Sequence, residues 1–217
     1  MGGQRGLPDW SNFSIISWRM TRCGWPGASI LQITGWQNTR FRPINYDDLS
    51  DPNNSISSAT KASFAPFGTV IETDGATQIG INQGTTIRFD AMAAVDVAAG
   101  DGTPIISLFR GTRRPDPIEI YLLERHPLGS QAFMPLSQHD WLIVVAHGNA
   151  AVDAPDFSTL ACFRATGEQG VSYDRGIWHH PLLVLQPVQD FLVIDRQGEG
   201  HNLDEVWHDG AAAIIKP

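Results

Sequence analysis

From residue 67 onward the chain is cut into short apolar runs, and this punctuation limits the fold more than any other feature. Runs at residues 67–72, 105–109, 118–123, 131–136, 141–147, 160–163, 181–185 and 191–195 alternate with Gly, Pro, Asp and Asn. Segments of this length, closed this often by turn-forming residues, have the spacing of a β-sandwich or barrel. In Ile118-Glu119-Ile120-Tyr121-Leu122 the apolar side chains alternate, so a strand there buries one face. Trp141-Leu142-Ile143-Val144-Val145-Ala146 has no polar member, and a strand there is covered on both faces. Helix is confined to short pieces, one ending at residues 63–66 and one beginning near Pro155 and Asp156. The 21 glycines and 14 prolines supply the turns an all-β chain needs.

Residues 1–57 read differently. They hold Trp10, Trp18, Trp25 and Trp36 without a steady period, and they end in the polar, turn-rich Asp47-Asp48-Leu49-Ser50-Asp51-Pro52-Asn53-Asn54-Ser55. The expectation is an irregular or disordered extension over residues 1–57 that carries no chemistry, followed by one working domain over residues 58–217.

The formal net charge of −8, with no block of Lys or Arg, disfavours nucleic acid, because neutralising phosphates needs clustered basic side chains. A small anionic molecule can still be held by individually placed arginines. No apolar stretch approaches the roughly 20 residues of a membrane-spanning helix, and no signal-peptide core opens the chain. Cys23 and Cys162 lie far apart without metal-ligand spacing and read as reduced thiols. These features point to a cytoplasmic protein. Neither a Gly-rich phosphate loop nor a nucleophile elbow is present, which removes nucleotide-dependent and serine-hydrolase readings.

The chemistry concentrates in two places. Glu124, Arg125, His126 and Gln131 crowd around a Pro127-Leu128-Gly129-Ser130 turn. On a strand Glu124 and His126 face one side, and the turn returns Gln131 at the start of the next strand. The second cluster is Tyr173-Asp174-Arg175-Gly176-Ile177-Trp178-His179-His180-Pro181. His179 and His180 face opposite ways, so one enters the interior and the other packs at an outer face or interface. Trp178 reads as core. Asp195 and Arg196 close a strand, either as a structural ion pair or with Arg196 reaching a substrate carboxylate.

The first cluster resembles the first cupin motif, in which two histidines two apart and a later acid or amide ligate a metal; Glu124 stands in place of the first histidine. Gly176 and His179 resemble the second motif, although Asp174 replaces its usual proline. This likeness implies a ligand set of Glu124, His126, Gln131 and His179, a donor mixture suited to Ni, Zn, Mn or Fe in the +2 state.

A narrower resemblance covers residues 63–205. Phe64-Ala65-Pro66-Phe67-Gly68-Thr69-Val70-Ile71, residues 124–136, Gly167-Glu168-Gln169-Gly170-Val171-Ser172-Tyr173, Trp178-His179-His180-Pro181-Leu182 and Asp190-Phe191-Leu192-Val193-Ile194-Asp195-Arg196 occur in the order found in the ureidoglycolate lyase family of allantoin breakdown. Asn82-Gln83-Gly84 followed by Arg88 also resembles that family's asparagine–glycine and arginine segment. The resemblance implies a cupin-like β-barrel with a few short helices, a homodimer, and cleavage of (S)-ureidoglycolate to glyoxylate and urea. A Ni2+ or other divalent cofactor is implied for some members. It also implies His126 or Glu124 as base and His179 as ligand or acid. Arg88 and Arg196 become candidates for the substrate carboxylate, Gln131 and Tyr173 for the ureido group. A metal-dependent cupin oxygenase or isomerase would carry more histidines. A non-catalytic binding cupin would not need an acid beside His126.

Overall fold

Two sheets face each other across an apolar interior, as the punctuated runs require. The computed structural model describes Ser29–Gln32, Pro43–Asn45 and residues 56–217. One sheet has five strands in the order Gly68–Ile71, Gly170–Tyr173, Gln131–Pro135, Val188–Gln197 and Thr103–Thr112, antiparallel throughout. The other has eight strands. Its central members are Asp204–Trp207, Leu122–Arg125, Trp178–His179, Trp141–Ala146 and Ala161–Ala165, in that spatial order. Phe133, Val171, Phe191 and Val193 from the first sheet meet Trp141, Ile143, Val145 and Phe163 from the second in one core. The result is the expected all-β, cupin-like barrel.

Trp141–Ala146 is buried at every position. Its odd-numbered residues enter the interior core, while Leu142, Val144 and Ala146 enter a second core behind the sheet. That outer core is roofed by Ile118 and Ile120 of Ile118–Ile120 and by Ala213 and Ile215 of Ala213–Lys216. Each such side chain removed from water contributes about 1.5–3 kcal/mol before entropy is counted.

The helix anticipated near residue 63 is Lys61–Phe64, held by a reciprocal cap between Thr60 and Ser63. The piece near Pro155 is one 3-10 turn, Phe157–Thr159, capped by the Asp156 side chain. The run at 118–123 differs from its expected form: it is two strands, Ile118–Ile120 and Leu122–Arg125, in different sheets. The chain turns this corner at Tyr121, whose carbonyl accepts the His208 N–H at 2.8 Å. A hairpin of Thr77–Ile81 and Thr86–Asp90 was not foreseen.

The expected extension over residues 1–57 falls mostly outside the described residues, and so does Cys23. Within it, Ser29–Gln32 pairs parallel with Asp204–Trp207, and Pro43–Asn45 pairs parallel with Ala213–Lys216. Ile56–Ser58 pairs parallel with Ala161–Ala165.

Candidate active site

Alternation in two paired strands brings the first two site residues together. Leu123 and Trp178 face the outer core, so Glu124 and His179, which are in register with each other, face the interior. His126 lies two residues beyond Glu124 and shares its side, and its carbonyl accepts the Gly176 N–H at 3.0 Å. Arg125 goes the other way. Its guanidinium sits 4.6 Å above the Trp178 ring and pairs with Asp153 and Asp204. Ligand atoms of Glu124, His126 and His179 lie within 4.8 Å of one another, a possible metal-binding triad.

Both rings are held for ligation. His126 Nδ1 is 2.8 Å from the Asn202 carbonyl oxygen, and His179 Nδ1 is 2.9 Å from that of Ile177. A carbonyl only accepts, so each Nδ1 carries the proton and each Nε2 keeps its lone pair. Both Nε2 atoms are buried and lack a hydrogen-bonding partner. Buried polar atoms are seldom left so, and these two face a carboxylate: Glu124 Oε1 is 3.5 Å from His179 Nε2. Burial pushes the Glu124 carboxyl up, but when the neighbouring rings are protonated, contact with His179 and the charges of His179, His126 and His180 outweigh burial and hold it below its usual value. The site offers an ionised carboxylate beside two imidazole lone pairs, a donor set that fits a divalent transition metal.

Gln131 is buried at the head of Gln131–Pro135. Its Nε2 donates to Asp195 Oδ2 at 3.1 Å, while its Oε1 is buried without a partner. Tyr173, in register with Gln131, stacks face to face on His179 with ring centres 4.2 Å apart and planes 12° from parallel. Burial, and then the Glu124 charge, push the Tyr173 phenol well above its usual range, so it remains a proton-bearing donor.

The two arginines are not brought to this cluster as substrate ligands. Arg196 turns its guanidinium to the backbone carbonyls of Ala99, Gly100 and Glu199. Arg88 lies on the protruding hairpin, with 60% of its side chain exposed, beside Asp90. Asp195 does not pair with the Arg196 guanidinium; it accepts from the Arg196 backbone N–H and from Gln131. His180 is not at an outer surface: it is 4% exposed, its Nδ1 lies 2.6 Å from the Pro181 carbonyl, and its charge is felt by Glu124. The carbonyls of Asn202 and Ile177 went unseen in the sequence, since a backbone acceptor leaves no side-chain signature. The Asn202 side chain also accepts the Leu128 N–H at 2.8 Å, fixing the turn after His126.

A family model described as ureidoglycolate lyase matches residues 54–215. The chain belongs to the ureidoglycolate lyase family. It is 52% identical over 151 residues to the ureidoglycolate lyase of Burkholderia mallei (strain NCTC 10229), covering 70% of this chain and 86% of that relative. It is 51% identical over 161 residues to that of Pseudomonas syringae pv. tomato, covering 74% and 93%. The Pseudomonas putida (strain W619) lyase is 50% identical over 160 residues, covering 74% and 94%. In this family member the matched span contains Glu124, His126, Gln131, Tyr173 and His179. No helix among the described residues is long and apolar enough to cross a membrane.

Proposed function

We propose that the protein is a cytosolic ureidoglycolate lyase that splits (S)-ureidoglycolate into glyoxylate and urea. Beyond family membership, the observation that carries this reading is the convergence of two carbonyl-locked imidazoles and an ionised carboxylate, with both Nε2 lone pairs buried and free. The substrate is a hemiaminal, in which one carbon bears hydroxyl, carboxylate and ureido nitrogen. Cleavage needs one base and one acid. The hydroxyl proton passes to Glu124, or to His126 Nε2 where no ion holds that lone pair, and its C–O bond becomes the aldehyde C=O. The C–N bonding pair leaves with the ureido nitrogen, which takes a proton and departs as urea.

Glu124, His126 and His179, with the free Oε1 of Gln131 as a fourth donor, would hold Ni2+ or another divalent ion. Such an ion would acidify the substrate hydroxyl. Tyr173 faces the same cluster from the opposite sheet, which supports a role in holding the ureido group, and Gln131 would share that role where its Oε1 is not held by an ion. Arg196 ties Ala99, Gly100 and Glu199 together through their backbone carbonyls. We also assign a homodimer: Thr103–Thr112 is an edge strand with Ile106 and Leu108 at 72% and 69% exposure, an apolar edge that a lone protomer leaves open to water.

The test is product analysis on racemic ureidoglycolate. Glyoxylate and urea are expected in equal amounts, with consumption stopping at half the racemate and a folded His126→Ala control releasing neither. Ammonia in place of urea would mean hydrolysis at the ureido carbonyl and sink the lyase assignment.

A further inference from the structure

The hairpin Thr77–Ile81/Thr86–Asp90 is exposed along most of its length, at residues 77–80 and 82–88. A two-stranded hairpin is marginal in water by itself, and this one leaves Ile79 and Ile87 at 38% and 57% exposure. Its tip is tightly built, with Asn82, Gln83 and Gly84 all at positive φ. It carries the asparagine–glycine and arginine segment singled out in the sequence, and among the described residues its two strands pair only with each other.

The site lacks what this hairpin holds. Ureidoglycolate is a carboxylate, but among the described residues Arg196 is engaged on backbone carbonyls, Arg125 with Asp153 and Asp204, and Arg175 with Asp96, while Arg114, whose charge reaches His180, is an exposed side chain. The fixed charges among the interior groups, Glu124 and Asp195, are negative. Strand Gly68–Ile71 begins beside Tyr173 and ends beside Gly170, so the chain moves away from its own site before the hairpin starts. The open edge Thr103–Thr112, with Ile106 and Leu108, offers a second copy an apolar seat for Ile79 and Ile87.

We propose that the hairpin is an arm exchanged between two copies of this chain, so that Arg88 of one protomer completes the site of the other and binds the substrate carboxylate. This rests on the lyase reading for its ligand and on the dimer for its geometry. The Arg88–Asp90 contact within the arm is no obstacle, since an exposed pair of this kind is worth about 1 kcal/mol at most. A guanidinium brought beside the triad would bind a carboxylate through paired N–H donors.

Subunit complementation tests it. Arg88→Ala and His126→Ala proteins should each lose ureidoglycolate turnover, by roughly 100-fold or more for Arg88→Ala. Mixed as unfolded chains and refolded together, they form dimers in which one site has its own His126 and the partner's Arg88. An equal mixture should recover about a quarter of the wild-type rate, since half the dimers are mixed and each has one complete site. No recovery from two folded, dimeric parents overturns exchange, and so does full activity of Arg88→Ala. If the wild-type protein releases no glyoxylate, the lyase reading fails separately. The arm is then judged by sedimentation alone: replacing residues 78–89 with two glycines should shift the protein towards monomer, and a deletion protein as dimeric as wild type overturns the proposal.

Discussion

His180 sits beside the site without joining it, and its titration is written into the stability of the fold. Burial pushes its imidazole from 6.5 down to about 4, against the raising effect of the Pro181 carbonyl. The unfolded chain takes up this proton near 6.5 and the folded chain only near 4, so between those values the unfolded state binds more protons. Stability is therefore full above about 6.5 and is lost as the pH falls towards 4, by roughly 3 kcal/mol in total. Urea titrations at pH 7 and pH 4.5 should show the wild-type midpoint falling, and a His180→Leu protein should lose much less of its own between the two. Glu124 acts in a lower window: its carboxyl is depressed, so its share is present above its unfolded value of 4.5 and lost as pH falls through the folded one. At this scale the sequence was informative where side chains meet by strand alternation or across one turn, as for Glu124, His126 and Gln131, whereas the approach of His179 to Glu124 rests on register between separate strands and was reached through the motif resemblance. It was uninformative for arginines. The reach of Arg196 ends on carbonyls of the 99–101 loop and Glu199, and no residue spacing announces a backbone acceptor.

Strands differ in how many faces they bury, and substitution should report it. In Trp141–Ala146, Ile143 and Val144 enter different cores although they are neighbours. Ile143→Ala should cost about 2–5 kcal/mol and Val144→Ala a similar or somewhat smaller amount. In Ile118–Ile120, Ile120→Ala should cost as much as Ile143→Ala, while exposed Glu119→Ala stays within about 0.5 kcal/mol. Chemical denaturation of the four proteins checks this, and a neutral Val144→Ala would contradict the outer core. The unbroken and alternating apolar runs made both strands legible. The hairpin Thr77–Ile81/Thr86–Asp90 was not legible, because its alternation is only Ile79 and Ile81 in one strand and Ile87 and Phe89 in the other, too short a run to stand out as a period. The corner at Tyr121 was hidden for the opposite reason: alternation runs on through it while the chain changes sheets.

For the molecule as a whole, a divalent ion bound by the triad would bridge Leu122–Arg125 to Trp178–His179 and stabilise only the folded form. Metal-stripped protein given Ni2+ at about 100 times its Kd should gain roughly 2.7 kcal/mol, visible as a rise in Tm of about 5–10 degrees. His179→Ala should show no such rise, and an equal rise in that variant would remove the triad from the metal site. The fold has one further consequence, which follows from Trp141–Ala146 being the common wall of both cores. Neither core can melt and leave the other its boundary, so the two are one cooperative unit and the interior cannot open by shedding a layer. Amide hydrogens of Ile143 and Val144 should then exchange with solvent only through global unfolding, at matching rates, even though their side chains look out on opposite halves of the protein.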